Sequence, residues 1–218
     1  RDRDLRDRYG GTVDVIGFGP LSAEDVMKEA LTYGIDNAFL INDPQFADMD
    51  ISQTARIVAA GIKKLGPYDL VLCGRQAIDG DSAHMASMTS CALEIPLIAY
   101  SDEITEMKEG SVFATCMGDQ MAYNVEAKMP AMILSIREKN KNRFPSVPDI
   151  MKTYDGTYKT KILTNDELDI SVTKRKVTQL RKYEVKSSKQ QKLVMISGKD
   201  EEEKAAQVLQ LLKQKSVI

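Results

Sequence analysis

The chain has 218 residues, of which 43% are hydrophobic and 28% are charged, and its formal net charge is −2. This composition is typical of a globular protein with a substantial core, and the near-neutral charge argues against nucleic acid as the main partner. No stretch approaches the roughly 18 consecutive apolar residues that a membrane-spanning helix needs, and the charged residues 1–8 are unlike a signal peptide.

The cysteines and the histidine limit the metal and redox chemistry that we expect of this chain alone. Cys73, Cys91 and Cys116 are far apart and form no C-x-x-C pair, and their odd number argues against a disulfide framework. With His84 as the one histidine, we expect neither a metal site nor an iron–sulfur cluster. The pattern favours a reducing compartment.

The first half of the chain alternates apolar runs of strand type with segments of helical period. This β-α order predicts a parallel sheet with right-handed crossovers and helices on both faces, which is a three-layer, Rossmann-like α/β fold. The predicted strands cover residues 12–16, 38–41 and 69–73, and the predicted helices begin at Ser22, Ile51 and Ser82 and end near residues 34, 65 and 93.

The second half differs in character. Residues 102–128 predict a small antiparallel element, and further strands are predicted over residues 131–136 and 193–196. Residues 138–149 form a polar loop, and the acidic residues 200–203 suit the start of a helix. We therefore divide the chain into an α/β nucleotide-binding domain, residues 1–170, and an extended C-terminal arm with a helix, residues 171–218.

The loop after the third strand is the candidate ligand site, because open α/β sheets bind ligands at the carboxyl ends of their strands. Glycines at 74 and 80 permit close ligand approach. If a helix begins at Ser82, the amides of residues 80–83 are free to bind a phosphate. An ordinary strand-to-helix turn capped by Ser82 explains the same residues equally well, since no Walker or G-x-G-x-x-G motif is present.

Residues 69–81, DLVLCGRQAIDGD, resemble the signature of the electron-transfer flavoprotein beta subunit (FixA) family. The segment GFGP at 17–20 and the segment NRFPSVPDIMK at 142–152 are also similar to that family, and the similarity runs from Arg6 to about Lys152. The family opens with an additional strand and a nucleotide-contacting segment, and this sequence begins after both. His84 also departs from the Gln that is usual in the family.

The resemblance implies a subunit that carries electrons with a partner chain, has no catalytic residue of its own, and is enzymatic only as part of a complex. An adenine nucleotide, either AMP or a second FAD, is expected in this chain. The redox-active FAD is expected mainly in the alpha subunit. The implied cofactor-binding residues are Phe18, Cys73, Gly74, Arg75, Gln76, Ala77, Ile78, Asp79, Gly80, Asp81, Ser82, Ala83, His84 and Met85.

The resemblance also implies partners and a location. The alpha subunit completes a heterodimer, and a flavoprotein dehydrogenase of acyl-CoA dehydrogenase type docks on the loop at 139–151. The implied docking residues are Arg143, Phe144, Val147, Pro148, Ile150 and Met151. If the protein belongs to the electron-bifurcating branch, NADH and ferredoxin are further partners. The expected location is the bacterial cytoplasm, or the mitochondrial matrix of a eukaryote.

Two other classes of function stay open from the residues alone. One is a non-redox, stress-type module that binds ATP or AMP and needs no FAD-holding partner. The other is a hydrolase or adenylyl-transferring enzyme of related architecture, although the sequence offers no convincing base near Ser82.

Overall fold

A computed structural model describes residues 2–77, 81–136, 144–171 and 194–215. Its contacts divide the chain into two compact units, residues 1–177 and 178–218, and the last helix belongs to the second unit. The helices are α1 (Asp2–Tyr9), α2 (Glu24–Thr32), α3 (Ile51–Leu65), α4 (Met85–Leu93), α5 (Val147–Tyr154), α6 (Asn165–Leu168) and α7 (Glu201–Gln214). The strands are β1 (Asp14–Phe18), β2 (Asn37–Ile41), β3 (Leu70–Gly74), β4 (Leu97–Lys108), β5 (Ser111–Met117), β6 (Ala122–Lys128), β7 (Ala131–Ser135) and β8 (Thr160–Leu163).

The strands form two hydrogen-bonded ladders. The first has the order β1-β2-β8 and is parallel throughout. The second has the order β3-β7-β4-β5-β6, in which β3, β7 and β4 are parallel and β5 and β6 extend the sheet antiparallel. The predicted α/β class and the small antiparallel element are therefore confirmed. The parallel sheet is interrupted between β1 and β3, which the sequence reading treated as parts of one sheet.

Helices cover both faces of the first ladder, because its side chains alternate between them. Ala38 and Leu40 of β2 are buried in a cluster with Met27 and Leu31 of α2. Ile41, at the end of the same strand, is buried with Ile57 of α3 in a separate cluster. Helices α2 and α3 therefore lie on opposite faces.

The second ladder is covered in the same way. Ala86 of α4 packs against Met132 and Leu134 of β7 on one face, and Leu5 of α1 packs in the cluster that contains Ile133 on the other. Helices α3 and α4 also contact each other, and Lys63 Nζ donates a 3.0 Å hydrogen bond to the carbonyl of Ala92. The helices thus form two outer layers, with α3 and α4 in one and α1 and α2 in the other, and the three-layer prediction is confirmed.

The starts of β1 and α2 differ from the predicted ones. The strand runs to Phe18, so Gly17 lies inside it rather than in the turn that follows. A Cβ atom on Gly17 would lie 2.9 Å from Met27 Cε, so the glycine lets α2 pack closely on the strand. Residues 21–23 form a short 3₁₀ turn, and Ala23 occupies the N-cap of α2 without a side-chain hydrogen bond. Helix α2 therefore begins at Glu24, later than the predicted start at Ser22.

Three elements of the second half were missed, and one predicted strand is wrong. Helix α5 begins inside the segment predicted as a polar loop, and β8 and α6 were not predicted. Residues 194–196 form no strand, and Leu193 lies outside the described residues. The predicted C-terminal helix is confirmed as α7, where the Asp200 side chain accepts a 2.8 Å hydrogen bond from the Glu203 amide.

Candidate nucleotide-binding site

The gap between β1 and β3 is a cavity of about 600 Å³. At the carboxyl end of the two strands it is lined by Phe18, Cys73, Gly74 and Met85, all of which the sequence analysis named as cofactor-binding residues. Phe18 also contacts Phe46, with the ring centroids 6.2 Å apart. A volume of this size lies in the range of small-molecule sites, about 300–1,000 Å³.

The start of the loop after β3 is open to solvent. Gly74 and the next three residues, Arg75, Gln76 and Ala77, are exposed. A Cβ atom on Gly74 would meet no other atom within 4 Å, so a ligand can approach this backbone closely. Ile78, Asp79 and Gly80, which complete the predicted loop, lie outside the described residues.

The residues predicted to open the helix are not helical. Asp81 and Ala83 have φ values of 45° and 53°, which an α-helix does not accommodate. The Asp81 amide donates a 3.0 Å hydrogen bond to the Ala77 carbonyl, and the Asp81 carboxylate accepts a hydrogen bond from the Gln76 side chain. These two bonds close a turn of their own, which is why the helix starts later than predicted.

Helix α4 begins at Met85, with His84 at the N-cap and no side-chain cap bond. The prediction that Ser82 caps the helix, and that the amides of residues 80–83 form its first turn, is therefore wrong. Asp81 has its amide bonded within the protein, whereas the amides of Ser82 and Ala83 donate to no acceptor in the described part of the chain.

The thiol of Cys73 lies in the wall of the cavity. Burial raises the pKa of Cys73 to about 11, so the group is a neutral thiol at physiological pH. A neutral thiol is a weak nucleophile, so Cys73 contributes a small, weakly reactive side chain to the cavity wall.

The sequence analysis missed several residues that line the cavity. Val58 and Ile62 of α3 and Thr89 of α4 line it. Hydrophobic periodicity identifies the inward face of a helix, but it does not show whether that face packs on a strand or lines a cavity.

The predicted docking residues lie on and before α5. Arg143 is outside the described residues, while Phe144 is 89% exposed and Pro148 is exposed as well. Val147 and Met151 are 68% and 64% exposed, and Ile150 and Tyr154 are also exposed. Because these positions follow the i, i+3, i+4, i+7 pattern, the helix presents an apolar stripe to solvent.

The described residues contain neither a membrane-spanning helix nor a metal-binding cluster. No helix in these ranges combines the length and apolar character that crossing a bilayer requires. Within the same ranges, no cluster of three or more His, Cys, Asp or Glu side chains is arranged to hold a metal ion.

Comparison with known proteins identifies the family. Residues 3–162 match the model of the electron transfer flavoprotein domain. The electron transfer flavoprotein subunit beta of Clostridium acetobutylicum is 35% identical over 98% of this chain and 82% of its own length. The subunit of the same name from Thermoanaerobacterium thermosaccharolyticum is 36% identical over 76% of this chain. The caffeyl-CoA reductase-Etf complex subunit CarD of Acetobacterium woodii is 37% identical over 69%.

The chain spans 63% of the Thermoanaerobacterium protein and 58% of CarD. The family match nevertheless covers both ladders, up to Ile162 of β8, and the loop after β3, so the resemblance drawn from residues 69–81 is confirmed. The chain belongs to the electron transfer flavoprotein domain family and is similar to its beta subunits.

Proposed function

We propose that this chain is the beta-type subunit of a heterodimeric electron-transfer flavoprotein, passing electrons between a flavoprotein dehydrogenase and a second redox partner. One observation carries the proposal: Phe18 and Gly74, at the carboxyl ends of two parallel strands, line one cavity within the region that matches the family. A non-redox nucleotide-binding module is less well supported, because the similar proteins are named as electron-transfer subunits.

The residues at the cavity mouth fit an adenine nucleotide. Gly74 offers open backbone, and the amides of Ser82 and Ala83, with the Ser82 hydroxyl, are available to phosphate oxygens. The carboxylate of Asp81 bonds to Gln76, which holds that negative charge away from a phosphate. When bound, a flavin supplies the electron chemistry, and the chain supplies position and electrostatics.

For the nucleotide in this subunit we favour a second FAD over AMP, with NADH and ferredoxin as further partners. A Cβ atom on Gly74 would meet no other atom within 4 Å, so the backbone at this end of β3 is open to a ligand. Two of the similar proteins are named as parts of reductase systems: the caffeyl-CoA reductase-Etf complex subunit CarD and the acryloyl-CoA reductase electron transfer subunit gamma of Anaerotignum propionicum.

The dehydrogenase is proposed to dock on the apolar stripe of α5. Val147 and Met151 are the candidate anchors, because they are the most exposed aliphatic side chains of that helix. Ser146 caps the helix through its hydroxyl, which accepts a 3.1 Å hydrogen bond from the Asp149 amide. The stripe is therefore presented by a helix whose first turn is fixed.

The test is to purify the chain from its native host with whatever subunit accompanies it, and to release and count the nucleotides. Two FAD per complex support the proposal in full, and one FAD with one AMP retains the electron carrier but removes the second flavin. A colourless protein without AMP or FAD overturns it. Gly74→Val places a side chain in the open space that the nucleotide would occupy, without a clash inside the protein, and should lower nucleotide content. Ser87→Ala, at an exposed position of α4, is the control and should leave nucleotide content unchanged.

A further inference from the structure

The turn after β1 is fixed by the loop that follows β2. The side-chain amide of Asn42 donates a 2.8 Å hydrogen bond to the Gly19 carbonyl. The Gly19 amide donates a 3.2 Å hydrogen bond to the carbonyl of Ile41, the residue before Asn42. Both backbone polar groups of Gly19 are therefore bonded to consecutive residues at the end of β2. Because Phe18 directly precedes Gly19, these bonds also fix the backbone on its carboxyl side.

The ring of Phe18 is packed against the same loop. Its centroid lies 6.2 Å from that of Phe46, and the two ring planes are tilted by 40°. Aromatic pairs at this separation attract each other. Phe46 is 4% exposed and is buried in one cluster with Ile41 and Leu168, whereas Phe18 is only partly buried. The buried ring therefore gives the partly exposed ring a fixed wall.

The loop itself is fastened to a third strand. The Asn42 amide donates a 3.0 Å hydrogen bond to the Leu163 carbonyl of β8. The Asp43 carboxylate accepts hydrogen bonds of 2.8 Å from the Gln45 amide and 3.1 Å from the Asn165 amide. These bonds connect the carboxyl ends of β2 and β8, so the loop carries its side chains in fixed positions.

These contacts converge on a residue that the proposed function requires. Phe18 is one of the implied cofactor-binding residues, and it lies at the carboxyl end of a parallel strand, where open α/β sheets bind ligands. The described lining of the cavity includes Phe18 but neither Asn42 nor Phe46. Binding is tighter when contact residues are ordered before the ligand arrives, because less conformational freedom is then lost.

We propose that Asn42 and Phe46 are positioning residues of the nucleotide site. Asn42 fixes the backbone at Gly19, Phe46 fixes the ring of Phe18, and both act on the nucleotide through Phe18. The inference rests on the proposed nucleotide site. It adds to that site the loop of residues 42–46, which lies outside the three segments that carry the family resemblance.

The experiment measures release of nucleotide from the complex of this chain with its co-purified subunit. Labelled AMP in excess enters only as the resident nucleotide leaves, so its rate of uptake measures dissociation whether that nucleotide is AMP or FAD. Asn42→Ala should speed uptake by about fivefold, because the hydrogen bond that fixes Gly19 is lost. Asn42→Asp keeps the size of the side chain but loses the donor, and it should match Asn42→Ala.

A double-mutant cycle separates positioning from a general loosening of the fold. Phe46→Leu keeps an apolar side chain but removes the ring, and it should also speed uptake by about fivefold. Phe18→Leu should speed uptake by itself, because it removes the proposed contact. In the Phe18→Leu background, Phe46→Leu should have no further effect, since the ring that it positions is already gone.

Two controls match these variants. Gln45→Ala changes an exposed side chain of the same loop and should leave uptake unchanged. Ile104→Val removes buried apolar volume from the other ladder. Urea unfolding should show that Ile104→Val and Phe46→Leu both lower stability, whereas only Phe46→Leu should speed uptake.

The outcomes separate this inference from the function on which it rests. A wild-type complex without any nucleotide removes the proposed site and the inference together. A wild-type complex whose nucleotide leaves at the same rate in the Asn42 and Phe46 variants overturns the inference alone. Equal acceleration by Ile104→Val, or a Phe46→Leu effect that persists without the Phe18 ring, assigns the change to stability and also overturns it. If Phe46→Leu does not fold, the two Asn42 variants decide.

Discussion

The hydroxyl of Tyr68 donates a hydrogen bond of 2.6 Å to a carboxylate oxygen of Asp14, across a sequence separation of 54 residues. Asp14 is the first residue of β1, and Tyr68 lies just before β3. The bond therefore joins the two ladders at the amino end of the cavity that separates them. The other carboxylate oxygen of Asp14 accepts a 2.7 Å bond from Asn37 of β2, so the carboxylate is held on both sides.

Replacing Tyr68 by Phe should lower the free energy of unfolding by about 1–2 kcal/mol, because a partly buried hydrogen bond to a carboxylate is lost while the ring is kept. The matched control is Tyr154→Phe, whose ring is exposed on α5. Urea unfolding measures the free energy of unfolding of both variants. Equal stability of the two variants would show that the Tyr68 bond contributes nothing to joining the ladders.

Stability should also depend on Tyr68 at alkaline pH. Burial, with the adjacent Asp14 carboxylate, raises the pKa of Tyr68 above its ordinary value of 10.0. A folded-state pKa above the unfolded one contributes stability that is complete below about pH 10 and is lost as the pH rises further. The stability difference between wild type and Tyr68→Phe should therefore be constant from about pH 7 to 9 and shrink above about pH 10. A difference that grows above pH 10 would contradict the assignment.

Local sequence patterns predicted the fold well where the residues of a helix or strand determine its structure without contacts from elsewhere in the chain. Asp200 and the acids that follow it predicted α7, and the alternation of apolar runs and helical segments predicted the layers. The helix at 147–154 was not predicted, because two prolines in a polar context are typical of a loop. In the structure Ser146 caps this helix, and Pro148 lies in its first turn, where proline is tolerated.

The site was predicted less completely than the fold, for a physical reason. The hydrogen bond between Tyr68 and Asp14 depends on how the ladder of β1 lies against the ladder of β3. No sequence motif near either residue predicts that bond. The turn at residues 81–83 depends on the bond between Gln76 and Asp81, which competes with the helical start that Ser82 would favour. Such non-local or competing contacts leave no periodic trace in a single sequence.

The thiols of Cys73 and Cys91 should differ in reactivity. Burial raises the pKa of Cys73 to about 11, whereas Cys91 is exposed on α4. Because the thiolate is the reactive form, alkylation of Cys73 should rise about tenfold per pH unit until about pH 11. Iodoacetamide labelling followed by peptide mass spectrometry measures both rates. Cys73 reacting as fast as Cys91 at pH 8 would show that the cavity wall does not shield it.

Gly61 of α3 lies against Ile41 of β2, where an added Cβ would be 2.5 Å from Ile41 Cδ1. Gly61→Ala should therefore destabilise the protein by about 1–2 kcal/mol, since overpacking outweighs the gain in helix propensity. Ile41→Val removes that Cδ1 atom, so the double variant should lose less stability than the sum of the single changes. Combining Gly61→Ala with Ile133→Val, a buried change in the other ladder, is the control and should be additive. Additivity in both pairs would contradict the close contact.

The apolar stripe of α5 exposes side chains at helical spacing, and exposed apolar patches lower solubility unless a partner covers them. Docking of a partner would therefore explain why the stripe is present. Val147→Ser combined with Met151→Ser should leave nucleotide content and unfolding unchanged, since both side chains are mostly exposed. The same change should raise the KM of a flavoprotein dehydrogenase for the assembled carrier by about tenfold or more, as expected when interface anchors are lost.

The matched control for this stripe is Met121→Ser, an equally apolar change in the turn between β5 and β6, at a residue that is 58% exposed. If the dehydrogenase docks on α5, the KM should rise for the α5 variant alone. The kcat should be retained, because the substitutions do not change the distance between the flavins once the complex has formed. An unchanged KM for the α5 variant, or an equal rise for Met121→Ser, would place the dehydrogenase on another surface and leave the stripe to the partner subunit.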